Sequence, residues 1–213
     1  MASVILNSLA EKPALRTDRG LQRAEAILMA ARDILVADGY AGLSMRGVAT
    51  RAQMSLSNVQ HYYKGLEGLV EALLIYLMDD YQQQIDALIQ SMKQHTQHEQ
   101  LSAVLDLLLS EGRKVEVSGV FVEAWALAQR LPFAARVMQQ IQERERKAFY
   151  KLMYGLNSQI SASEYKQRAA LSVTLIHGLM VQPADTSSLN RAQMEQLVRQ
   201  QILKLAVSTD VMV

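Results

Sequence analysis

Apolar residues recur along this chain at spacings of three and four almost everywhere, and nowhere in the alternation that marks a half-buried strand. Leu21, Ala24, Ile27, Leu28, Ala31, Ile34 and Leu35 fall on one helical stripe, followed by Gly39 where a helix C-cap favours glycine. A second helix is expected from Ser44, a competent N-cap, through MRGVATRA, and Ser55 can cap a third, short one ending near Gly65. From Leu66 the run LEGLVEALLIYLMDDYQQQIDALIQSM reads as a fourth, long helix. Five further segments keep the same period: LSAVLDLLLSEG, GVFVEAWALAQRL, FAARVMQQIQERERKAFYKLMYGLN, ASEYKQRAALSVTLIHGLMVQ and RAQMEQLVRQQILKLAV. Only three prolines and ten glycines interrupt the 213 residues, so the pattern predicts an all-α chain of about nine helices.

One stretch breaks the apolar rhythm. MSLSNVQHYY, residues 54–63, crowds Ser55, Ser57, Asn58, Gln60 and His61 into ten positions of a chain that is 50% hydrophobic. It is the second of two short helices separated by a few residues and preceded by a longer one, the layout of a helix-turn-helix. Val48, Ala49 and Ala52 can meet Met54, Val59 and Tyr63 as its small core, leaving Leu56, Ser57, Asn58, Gln60, His61, Tyr62 and Lys64 outward. A recognition helix needs hydrogen-bonding side chains near its N-terminal end for base edges and flanking groups for phosphates, which accounts for the polar density.

These residues also carry a resemblance. LSMRGVATRAQMSLSNVQHYYKGLEGLVEAL resembles the N-terminal segment of the tetracycline-repressor family of bacterial transcriptional regulators. The matching features are the Ser-Met-Arg-x-Val-Ala start, Ala52, Ser55, the aromatic pair before Lys64, and Glu67 with Leu69 entering the fourth helix. ILMAARDILVADGY is similar to that family's first helix and its Gly-aromatic ending, so the resemblance covers roughly residues 21 to 72. EAWALAQRLP and LIHGLMVQ are similar to the C-terminal part of the branch containing betaine-pathway repressors. Three positions depart from the family pattern. Gln53 stands at the turn position usually held by glycine and would have to adopt a left-handed conformation, at about 1 kcal/mol. Gln60 replaces the tyrosine many members use against phosphate, and Leu66 replaces a lysine, which moves weight to Tyr62, His61 and Lys64. The expected DNA-contact set is Arg46, Ser55, Leu56, Ser57, Asn58, Gln60, His61, Tyr62 and Lys64.

Charge adds little. The net formal charge is +1, yet residues 1–64 carry eight Lys or Arg against five acids, and the remainder fourteen against sixteen. This is a mild basic bias in the first third. Lys12, Arg16, Arg19 and Arg23 read either as an arm onto the phosphate backbone or as a solvated face. Two domains are expected: residues 1–64 as N-terminal arm and three-helix helix-turn-helix domain, and residues 65–213 as a larger helical effector-binding and dimerisation domain.

Family members bind small effectors between the helices of the larger part, so the resemblance implies a cavity there. Its candidate lining is Phe121, Trp125, Met138, Tyr150, Met153 and His177, each of which also reads as ordinary core. Two stripes in the last two helices suggest a four-helix bundle with a symmetry mate. The first comprises Ala169, Val173, Ile176 and Met180, and the second Met194, Leu197, Val198, Gln201, Ile202 and Leu205.

Several classes fall away. There is no cysteine, hence no thiolate metal site, and His95 and His98 have no third ligand nearby, so no metal or cofactor is expected. Gly-x-Ser-x-Gly, His-Glu-x-x-His and glycine-rich phosphate loops are missing, so an enzyme is not expected. The longest apolar runs fall short of the roughly 20 residues a membrane span needs, and MASVILNSLA lacks a basic leader. The sequence thus predicts a cytoplasmic, homodimeric regulator, most readily a repressor, that binds a double-stranded DNA operator and is released by a small, largely apolar effector of unknown identity. The alternative is a DNA-binding dimer without an effector, a constitutive or architectural regulator.

Overall fold

The computed structural model describes residues 18–182 and 190–209; the basic-arm residues Lys12 and Arg16 lie outside the described residues. Among the described residues the chain forms nine helices and no strand. They are α1 Asp18–Gly42, α2 Met45–Arg51, α3 Leu56–Tyr62, α4 Gly65–Ser91, α5 Gln97–Glu111, α6 Val115–Ala128, α7 Pro132–Met153, α8 Ala162–Met180 and α9 Arg191–Val207. None of the helices is long and apolar enough to cross a membrane.

Helix starts follow local chemistry. Ser44 Oγ accepts from the Gly47 amide and Ser55 Oγ from the Asn58 amide, each satisfying one of the donors a helix N-terminus leaves open. Thr96 with Glu99, and Asn190 with Gln193, close reciprocal capping boxes at α5 and α9.

The chain divides into two compact units. The first comprises the described residues up to Gln83 together with Gly119–Gln139. Its α1 buries the expected stripe: Ala24, Ile27, Leu28, Ala31, Ile34 and Leu35. The helix is broken near its end, where Gly39 has φ 64° and ψ −176°. Three positions on, the chain turns back so tightly that a Cβ on Gly42 would fall 2.4 Å from Asp38 Cβ. The α3 end and α4 are both tied to α1 by phenols. Tyr63 donates to the Ala24 carbonyl at 3.2 Å and Tyr76 to Glu25 Oε1 at 2.6 Å.

The second unit comprises Gln84–Ser118 and the described part of 140–213. Its core joins Leu101, Val104 and Leu105 of α5, Phe149, Leu152 and Met153 of α7, Tyr165, Ala169, Val173 and Ile176 of α8, and Val198, Ile202 and Leu205 of α9. Ala169, Val173, Ile176, Val198, Ile202 and Leu205 were expected on a face shared with a second copy. They face their own chain's core instead, with Met180 and Met194 half-buried against it, and only Leu197 and Gln201 of that set are exposed. Helical periodicity shows that a stripe is covered, not by whose helix, and here α9 packs on both α8 and α5.

Two polar side chains sealed in this unit, Arg168 and Tyr165, are satisfied. Arg168 is fully buried; its Nη1 donates to the Leu205 and Ser208 carbonyls at 2.5 and 2.6 Å, and its Nη2 to Glu164 Oε1 at 2.5 Å. The guanidinium thus closes the C-terminal end of α9, whose last carbonyls have no helical partners. The Tyr165 hydroxyl donates within the same region, to Asn157 and Ala206 carbonyls.

At the other end of α9, Glu195 accepts from Arg113 and, at 3.0 Å, from Arg191 Nε. Burial pushes the Glu195 carboxyl up, but the two guanidiniums outweigh it and hold the group below its ordinary value of 4.5. A carboxyl depressed by folding contributes stability above its unfolded pKa and loses it as pH falls through the lower folded value. The thermal midpoint of the wild-type chain should therefore drop below about pH 4.5 more steeply than that of Glu195→Gln. Parallel curves for the two proteins between pH 7 and 3 would show that this triad does not contribute to the acid transition.

Candidate nucleic-acid interface

Helices α2 and α3 are seven residues each, too short to hold themselves, and pack on each other and on α1. Val48 and Ala49 are buried from α2, and Val59, Tyr62 and Tyr63 from the α3 side. The turn between them is Ala52–Met54. The amides of Ala52, Gln53 and Met54 donate to the carbonyls of Val48, Thr50 and Ala49, and Gln53 is the one non-glycine among the described residues with positive φ, at 54°.

Most of the expected contact set is arranged on the outside of this pair. Arg46 is exposed in the first turn of α2. Ser57, Gln60, His61 and Lys64 are exposed, Ser55 is exposed at the cap, and Leu56 and Asn58 are half-buried. Ser55 Oγ and Ser57 Oγ lie 3.1 Å apart, so the two hydroxyls organise the start of α3.

Tyr62 is different. It was expected outward, and its exposure is 5%. On a helix of 3.6 residues per turn Val59, Tyr62 and Tyr63 stand three and four apart, so both tyrosines fall on the inward side. The rings of His61 and Tyr62 meet edge to face at 5.7 Å, so the buried ring supports an exposed one.

The effector candidates divide between the units. Phe121 and Trp125 are half-buried on α6 with ring centroids 6.1 Å apart, and Met138 is buried in the same unit. In the second unit Met153 is fully buried core, the Tyr150 ring stacks on Tyr154 at 5.2 Å, and His177 Nε2 lies 2.9 Å from Glu145 Oε2. Sequence reading passed over Glu123, the one charged residue in VFVEAWAL, which was the available signal. Its carboxylate accepts from the Tyr40 amide at 3.2 Å.

A helix pair joined by a tight turn, braced on a longer helix and presenting hydroxyl, amide and imidazole groups, defines a helix-turn-helix protein. Residues 27–73 match the family described as bacterial regulatory proteins, tetR family, and residues 97–207 match the BetI-type transcriptional repressor, C-terminal family. The chain belongs to the tetR family of transcriptional regulators. It is 40% identical over 116 residues to an uncharacterized HTH-type transcriptional regulator in the dhlA 5' region of Xanthobacter autotrophicus. That match takes in 51% of this chain and 54% of the relative, so the chain spans about half the length of the curated relative it matches. The fold is similar to that of a transcriptional regulator from Rhodococcus sp. Rha1, with TM-score 0.69, 24% identity, and 84% of this chain and 93% of that one covered. It is likewise similar to a TetR transcription regulator from Haloarcula marismortui, with TM-score 0.71, 20% identity, and 87% and 96% covered.

The left-handed Gln53 yields a direct test. Glycine carries no Cβ to crowd the following carbonyl there, so Gln53→Gly should stabilise the chain by up to about 1 kcal/mol, read as a higher denaturant midpoint. A lowered midpoint would mean that the Gln53 side chain contributes more than its backbone strain costs.

Proposed function

We propose that the chain is a homodimeric transcriptional repressor in which α3 reads an operator duplex and a small, largely apolar effector releases it. The observation that carries this reading is the outer face of α3: Ser57, Gln60 and His61 are exposed with Asn58 half-buried beside them, while the inner face is sealed by Val59, Tyr62 and Tyr63. Amide side chains suit adenine edges, hydroxyls and imidazole suit either phosphate or base, and Arg46 and Lys64 at the flanks suit phosphates. Tyr62 serves by supporting His61.

Paired reading heads need two copies. The stripes first expected to pair are occupied within the chain, so the proposed dimer face is the opposite side of the same helices. It consists of Ala170, Leu171, Thr174 and Gly178 of α8 and its C-cap Val181, with Leu197 and Gln201 of α9. Leu171, Val181 and Leu197 are exposed by 38%, 50% and 51%, and a Cβ on Gly178 would meet nothing within 4 Å. Small residues four apart let a second α8 approach closely, and exposed leucine and valine supply apolar area.

Release requires that the effector bind the released conformation better than the DNA-competent one, since equal affinity shifts nothing. Phe121 and Trp125 form the aromatic wall this reading assigns to the effector. The second reading, a DNA-binding dimer without an effector, is favoured by the burial of Met138 and Met153, which act as plain core. The proposed role is non-enzymatic and cytoplasmic, with DNA, a small effector and a second copy as partners.

Asn58→Ala together with His61→Ala should abolish sequence-specific binding while helicity and dimer mass stay unchanged. The probe is a duplex selected from a random library by the wild-type protein, and retained affinity in the double variant would remove α3 from the interface. For wild type, log affinity should fall steeply with log salt, by about 0.9 for each phosphate contact.

Trp125, the single tryptophan, separates the two readings of the larger part. If it lines an effector site, Trp125→Phe keeps the fold and weakens induction. If it is plain core, Trp125→Ala lowers stability by about 3 kcal/mol and the induction response of Trp125→Phe is unchanged. Thermal midpoints and DNA release by cell extract, measured side by side, decide between them.

A further inference from the structure

The C-terminal end of α1 is held from outside its own helix. At Gly39 the backbone takes φ 64° and ψ −176°, and a ψ near 180° turns the following amide, that of Tyr40, away from the helix axis. Glu123 Oε2 of α6 accepts that amide at 3.2 Å. The Glu123 side chain lies over the bare Gly39 Cα, since a Cβ there would sit 3.3 Å from Oε1. One turn earlier on α6, Gly119 lets the same face come against α1, with Val36 Cγ1 3.2 Å from where its Cβ would be. Gly119 and Glu123 are four apart and share a face; Phe121 and Trp125 are four apart and share another, about 200° round the helix.

Tyr40 is also close enough to α4 to feel its charge. Its hydroxyl is held above the usual phenol range, first by burial and then by the Glu67 carboxylate in the first turn of α4, the helix that follows α3 directly. One residue at the broken end of α1 thus meets α6 through its backbone and α4 through its field. The hold is strong in one sense and weak in another. A carboxylate accepting an amide proton makes a charge-assisted hydrogen bond, yet a negative charge at the C-terminal end of a helix opposes the helix dipole. A contact built from opposing terms is readily undone by a small displacement of α6.

We infer that Glu123 is a positioning residue for DNA reading, its carboxylate latching α6 to the open Gly39–Tyr40 turn of α1 and so setting the pose of the helix-turn-helix. This rests on the reading of α3 as the DNA-contacting helix and of Phe121 and Trp125 as the effector wall. Pressure on the aromatic face of α6 then moves the carboxylate on its opposite face, and the turn it holds is freed.

The test uses the full chain as Glu123→Ala, which removes the acceptor, and Glu123→Gln, which keeps an uncharged oxygen in its place. Hydrogen exchange at the peptide containing Tyr40 should accelerate roughly tenfold or more in Glu123→Ala, the ratio expected for one lost hydrogen bond to a charged group, and less in Glu123→Gln. The chain has one tryptophan and no cysteine, so an acceptor dye on Thr50→Cys reports the distance from Trp125 to α2. That distribution should broaden in Glu123→Ala and be restored in part by Glu123→Gln. Affinity for a duplex selected by the wild-type protein should follow the same order. Unchanged exchange and an unchanged distance distribution in Glu123→Ala would overturn the latch. A wild-type protein that selects no duplex would instead sink the reading of α3, with exchange and distance still deciding the role of Glu123.

Discussion

A seven-residue helix is marginal in water, because nucleating it fixes several residues for few hydrogen bonds. Helices α2 and α3 therefore depend on what α1 offers them. The apolar stripe from Ala24 to Leu35 supplies the buried surface, and the Tyr63 hydroxyl, donating to the Ala24 carbonyl, fixes the end of α3 against it. The outer face of α3 can be almost wholly polar only because its inner face is held this firmly. The polar outer face is a by-product of one-sided burial.

The second unit meets a related constraint differently. Packing α8 and α9 on each other and α9 on α5 seals helix ends and charged groups away from water, where an unpaired polar group costs several kcal/mol. Arg168 answers the carbonyls at one end of α9, and Arg113 with Arg191 answers Glu195 near the other. These anchors hold α9 at both ends, while Leu197 and Gln201 on its outward side stay exposed. In the first unit the Glu123 hydrogen bond has a different character. It joins two helices through a single amide at a broken turn, and its net strength is set by opposing electrostatic terms.

Much of this was determined locally by the sequence. Ser44, Ser55, Thr96 and Asn190 cap helices because a short side chain with an oxygen acceptor satisfies orphan amides wherever a helix begins. Gly39 ends the regular part of α1, and Gln53 takes the left-handed turn that its position demanded, because each depends on neighbours a few residues away. The helix-turn-helix is legible for the same reason: its core, turn and caps all fall within one short segment.

What only the tertiary structure decided is who covers whom. The Ala169–Ile176 stripe reads equally well as a face for a second copy or for the chain's own core, since burial follows from neighbours far along the sequence. Spacing from Val59 allows Tyr62 to turn inward, and only the packing of the helix pair decides that it does. Glu123 reads as a solvated charge until α6 is set against a turn 83 residues earlier. Periodicity and capping are properties of one segment, whereas burial and long-range hydrogen bonds belong to pairs of segments, and the sequence does not state the pairing.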